Sequence, residues 1–143
     1  MTAAEYNAFC GRLPHTSHVV QWGGAHVWKV AGKVFAIAWD EPGELHVTFK
    51  VSDLSYDLMK EQPGLRPAPY LASRGMKWIQ RTDRMTLNDA GLRDYLTESH
   101  RIVASGLPKR TQRELGIGQH AGPATAPKQS ASIRSGRRAV AAN

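Results

Sequence analysis

The sequence predicts an α+β domain built on an antiparallel sheet, and three observations carry that prediction. Strand-like alternation fills residues 19–51 and is broken only by short turn signals. Helix signatures stand before and after that run. Regular patterning ends near Gly116, so the domain is expected over residues 1–116.

The elements follow in order. Thr2 and Glu5 form a capping box, in which hydroxyl and carboxylate satisfy the first free N–H groups of a helix. Tyr6, Phe9, Cys10 and Leu13 make its apolar stripe, and Pro14 stops it. Strands are then expected over residues 19–22, 26–30, 33–39 and 44–51, an antiparallel meander. Gly23-Gly24 tolerates the positive φ of a hairpin turn, and Glu41-Pro42-Gly43 separates the last two strands. In the fourth strand Leu45, Val47, Phe49 and Val51 alternate with polar residues, so one face is buried. Ser52 caps a second helix that Pro63 ends.

Residues 61–81 concentrate Pro63, Pro67, Pro69, two glycines, Tyr70, Trp78 and four cations. Proline fixes φ and removes a donor, so this stretch reads as a semi-rigid loop feeding a strand over residues 76–82. That strand places Met76, Trp78 and Gln80 on one face and Lys77, Ile79 and Arg81 on the other. A long helix opens near Thr86–Asp89 and closes at Gly106 and Pro108, with one more basic turn at residues 109–113.

Length and an apolar content of 41% allow one real core. No apolar run is long enough to cross a membrane, no secretory signal is expected, and no membrane partner is implied. A single cysteine, Cys10, excludes a disulfide framework and suits a reducing cytoplasm. Its place on the first helix's stripe argues for burial. The net charge is +7. Residues 1–116 hold 15 Lys/Arg against 12 Asp/Glu, whereas residues 117–143 hold Lys128, Arg134, Arg137 and Arg138 and no acid. That segment is rich in Ala, Gly, Ser and Pro, without an aromatic, and is expected to be a disordered basic tail.

No phosphate loop, nucleophile elbow or zinc-ligand pattern is present, and the histidines carry no metal-ligand spacing. No catalytic residue, metal or cofactor is expected, and the chain is not read as an enzyme. Trp22, Trp28, Tyr70 and Trp78 interleave with Lys29, Lys50, Arg66, Arg74 and Lys77. Aromatics beside cations can stack bases and neutralise phosphates, but the same residues serve equally as core and solvated face.

The residues of Val20-Gln-Trp-Gly-Gly, Val27-Trp-Lys-Val, Lys33-Val-Phe-Ala-Ile, Phe49-Lys50, Gln62-Pro-Gly64, Pro67-Ala-Pro-Tyr70 and Lys77-Trp78 resemble the MmcQ/YjbR family, from about Tyr6 to Gly116. The resemblance implies a two-layer α+β fold with helices on one face of the sheet and two hairpin wings of a double-wing DNA-binding type. Many members carry a His after the Tyr and then Asn-Lys, where this chain has Leu71, Ala72, Ser73 and Arg74. The expected function is therefore weak, phosphate-directed DNA binding. Its candidate contacts are Gly23, Gly24, Trp28, Lys29, Lys50, Arg66, Tyr70, Arg74 and Lys77, with Lys128, Arg134, Arg137 and Arg138 in the tail. The alternative partner is another protein or peptide, held in a groove lined by Trp22, Trp28 and residues 67–70.

Overall fold

Thr2 caps the first helix as its sequence predicts: its hydroxyl accepts from the Glu5 N–H at 3.1 Å, and its own N–H donates to the Glu5 carboxylate at 2.9 Å. The structure is a computed structural model that describes residues 1–69, 71 and 75–116. Its elements run α1 (Ala3–Arg12), β1 (Thr16–Gln21), β2 (Ala25–Val30), β3 (Lys33–Glu41), β4 (Glu44–Lys50) and α2 (Asp53–Met59). After these come β5 (Leu65–Pro67), β6 (Trp78–Arg81), α3 (Asp89–Ser105) and α4 (Lys109–Leu115). The tail over residues 117–143 lies outside the described residues.

All six strands form one antiparallel sheet in the order β1-β2-β3-β4-β6-β5. Helices α1, α2 and α3 lie on one face, giving the expected two-layer α+β architecture. Tyr6 and Cys10 of α1 and Leu92 and Leu96 of α3 bury against Val30, Ala36, Val47, Phe49 and Ile79 of the sheet. Burying such side chains is worth about 1.5–3 kcal/mol each, and this layer holds most of the described core.

Three local features depart from the expectation. The first strand starts at Thr16 rather than residue 19 and ends before Trp22, whose φ of 52° places it in the turn with Gly23 and Gly24. The Pro-rich stretch feeds two strands. Leu65–Pro67 adds an edge strand to β6, where the missing N–H of Pro67 leaves no ladder bond unmade. Between β2 and β3 the register slips, with Trp28 opposite Ala36 and Lys29 opposite Val34, so Phe35 is an extra residue. This bulge turns both Phe35 and Ala36 toward the helices. There the Phe35 carbonyl accepts from the Ser99 hydroxyl, and its ring meets His100 edge-on.

One charged side chain is built into the core. Arg81, the last residue of β6, is 0% exposed. Its guanidinium donates to the Leu87 carbonyl, to Asp89 at 3.1 Å and to Glu44 at 3.2 Å. The amine of Met1 reaches the same two carboxylates, and Arg84 flanks them from solvent. A buried charge persists only when paired in this way. The cluster joins the start of β4, the end of β6 and the first turn of α3.

Candidate nucleic-acid interface

Strand alternation assigns each candidate residue to a face. On the helix-free face, β2 and β3 supply an apolar half: Ala25, Val27 and Ile37, with Val34, Trp39 and Leu71 packed on them. The strands β4, β6 and β5 supply a polar half. There Thr48 pairs with Gln80, Lys50 with Trp78 and Arg66 with Gln80. Thr48, Gln80 and Trp78 are 1%, 3% and 5% exposed, whereas Arg66 is exposed and Lys50 half-buried.

Hydrogen bonds order this half. Arg66 Nε donates to Gln80 Oε1 at 2.8 Å, and Gln80 Nε2 donates to Thr48 Oγ1 at 3.3 Å. The Arg fork has only donors, so it fixes which way the Gln80 amide faces. The Nε1–H of Trp78 is buried without an acceptor among the described residues. Among the described strand residues of this half, the only carboxylate is that of Glu44, already bound to Arg81 and the N-terminal amine.

The structure brings together some of the predicted contacts and separates others. Lys29, at the end of β2, and Lys50, at the end of β4, share the helix-free face and the same end of the sheet. They are two strands apart, roughly 10 Å by ordinary strand spacing. Arg66 joins them on that face from the edge strand. Lys77 lies on the opposite side, its ammonium 4.7 Å from the centre of the Tyr56 ring of α2. The turns at Gly23-Gly24 and at Gly43 sit at the far end of the sheet from Lys29 and Lys50. Trp28 is a core residue: its ring packs on Gly11, and its N–H donates to Asn7 at 2.8 Å. It is therefore neither a stacking platform nor part of a groove with Trp22. Tyr70, Arg74 and the four tail cations lie outside the described residues. Sequence reasoning missed Thr48 and Gln80, since neither residue type is diagnostic until cross-strand register brings them together.

Other chemistry is sparse. His18 Nε2 and His26 Nδ1 are 3.3 Å apart, with the His18 ring stacked on Trp28. Burial and the neighbouring His26 lower the His18 pKa. Among the described residues no three His, Cys, Asp or Glu side chains converge as metal ligands. Cys10 is buried, and burial raises its thiol far above the usual range, as the helix stripe predicts. No helix among the described residues is long and apolar enough to cross a membrane.

A family model for YjbR matches residues 11–102, which is more than half of the chain. The chain belongs to the YjbR family. Among YjbR-family relatives, the uncharacterized protein YbdF of Escherichia coli O157:H7 is 29% identical over 91 residues, covering 62% of this chain and 72% of YbdF. The crystal structure of DR2400 of Deinococcus radiodurans, a protein with the DUF419 domain, superposes with a TM-score of 0.71 at 21% identity. That match covers 88% of this chain and 96% of DR2400, and it shows a shared fold. The YjbR match spans β1 to β6 and most of α3, so both halves of the helix-free face lie within it.

Proposed function

We propose that this YjbR domain is a non-enzymatic, cytoplasmic nucleic-acid-binding module that holds DNA weakly, through phosphates, on its helix-free face. The observation that carries the reading is the placement of Lys29, Lys50 and Arg66 on that face, with Glu44, the strand carboxylate of its polar half, engaged by Arg81 and Glu41 held at the far end of the sheet. Cations so placed attract a phosphate backbone without reading bases. The β3–β4 hairpin wing contributes less in this arrangement, because Asp40, Glu41 and Glu44 flank its turn.

Titration of the full chain with duplex DNA across a salt series tests it. Each of Lys29→Ala, Lys50→Ala and Arg66→Ala should reduce the log–log salt slope by about 0.9 if its cation displaces one counterion. A variant lacking the charges of Lys128, Arg134, Arg137 and Arg138 isolates the tail. Binding that vanishes in the tail variant and ignores the three sheet substitutions would overturn the reading. One observation favours a protein partner instead: β1 is an exposed edge strand with Val19, Val20 and Trp22 at the surface. A partner adding a strand there would bind with little salt dependence.

A further inference from the structure

We propose that the polar half of the helix-free face is a seat for a phosphomonoester, bound by Trp78, Gln80, Thr48 and Arg66 with Lys50 at its end. This goes beyond phosphate contact at a solvated surface, because the groups involved are mostly buried. It shares Arg66 and Lys50 with the DNA reading, so the two are tested apart.

Arg66 takes one lone pair of the Gln80 amide oxygen, and Gln80 takes one lone pair of the Thr48 hydroxyl. Donors then outnumber acceptors around the ladder: the second amide proton of Gln80, the hydroxyl proton of Thr48 and the terminal N–H groups of Arg66 face one remaining lone pair on each of the two oxygens. Beside them on the same face, two residues along β6, the Trp78 indole N–H is buried with no acceptor among the described residues. A buried unpaired donor is costly, and natural folds seldom keep one without use. A water molecule would bring hydrogens of its own, whereas an oxyanion brings acceptors only. Three adjacent strands, β4, β6 and β5, contribute donors. A phosphomonoester offers three terminal oxygens to such a set, one more than a carboxylate, and Arg66 and Lys50 oppose its charge.

The chain has four tryptophans, so its indole N–H groups give four signals in a ¹H–¹⁵N correlation spectrum. The Trp78 signal is assigned through Trp78→Phe or by through-bond experiments. The full chain is titrated with inorganic phosphate, against sodium chloride at equal ionic strength. The expected result is a saturable downfield shift of the Trp78 signal while those of Trp22 and Trp28 hold. Thr48→Val, nearly isosteric, and Arg66→Ala should each weaken it by roughly tenfold. A Trp78 signal that does not move, that chloride moves equally, or that both variants leave unchanged overturns the seat and leaves a trapped water in its place. An oligonucleotide with and without a 5′-phosphate then identifies the source. Tighter binding of the phosphorylated strand than of inorganic phosphate assigns a nucleic-acid end, and equal binding assigns a small phosphoester. Thr48→Val keeps every cation, so duplex affinity should not change in it. Loss of the Trp78 response in the parent chain with duplex binding intact sinks the seat alone, and the converse sinks the DNA reading alone.

Discussion

Arg81 shows at the scale of one residue how this fold spends a charge. Truncating it to Ala leaves Glu44 and Asp89 facing a buried gap, and stability should fall by about 3–5 kcal/mol in denaturant unfolding. Arg81→Met, which refills the volume, should lose less, since part of the penalty is the void. Asp89 ties the same cluster to pH. Burial by itself would raise its carboxyl, but hydrogen bonds from the N-terminal amine and Arg81, with their charges, hold it below the ordinary value of 3.8. A depressed carboxyl contributes stability above its unfolded pKa and loses it as pH falls through the folded one. Acid unfolding should therefore steepen below pH 3.8, and Asp89→Asn should flatten that limb. His100 acts in a different window. Burial lowers its pKa below 6.5, outweighing the hydrogen bond it donates to the Pro14 carbonyl. The unfolded chain then takes up this proton first, so stability should decline as pH drops below 6.5, and His100→Gln should remove that part of the slope. Cys10 completes the set: native protein should label slowly with thiol reagents at neutral pH, and rapid labelling would show that α1 opens locally.

The elements differ in how far the sequence reveals them. The caps of α1, α2 and α3 are local hydrogen bonds between residues three apart, at Thr2, Ser52 and Asn88, so they can be read directly. In β4, Leu45, Val47 and Phe49 alternate with polar residues and can be read as a strand, whereas β2 and β3 bury residues on both faces and read as apolar runs between turn signals. β5 escapes such reading because three residues show no period, and a proline argues against a strand until its edge position is known. The bulge at Phe35 is invisible because a continuous apolar run looks alike with or without an extra residue. The polar half of the helix-free face was legible only as separate residues, since Thr48 and Gln80 are 32 positions apart and only strand pairing makes them neighbours. Arg81 was placed on the correct face, but its burial depends on Glu44, 37 positions away. Gly64 is a testable hinge of β5. Its φ is +79°, its carbonyl accepts from Thr82 N at 2.8 Å, and an added Cβ would collide with the Asp83 carboxylate. Gly64→Ala should cost more than the roughly 1 kcal/mol of backbone strain alone. Hydrogen exchange should locate the damage in β5 and β6, with β2 and β3 kept.

For the whole molecule, the sheet is sided. The helix-bearing face carries the described core, and the other face is divided between an apolar patch near β2 and β3 and a polar strip near β4, β5 and β6. The body has 15 basic and 12 acidic residues up to Gly116, so no broad positive field covers it. Local placement of a few cations has to supply any attraction to phosphate, which makes the predicted salt slope small. The Arg81 cluster also sets the order in which a chain emerging from the ribosome can close. Its guanidinium needs Glu44 from β4 and Asp89 from α3 before water can leave it. A nascent chain arrested with β6 outside the tunnel and α3 still within would hold all six strands yet lack the partner that lets the end of β6 dry. Protection of the β6 end in such an arrested chain is therefore expected only once α3, which contributes no strand, has emerged.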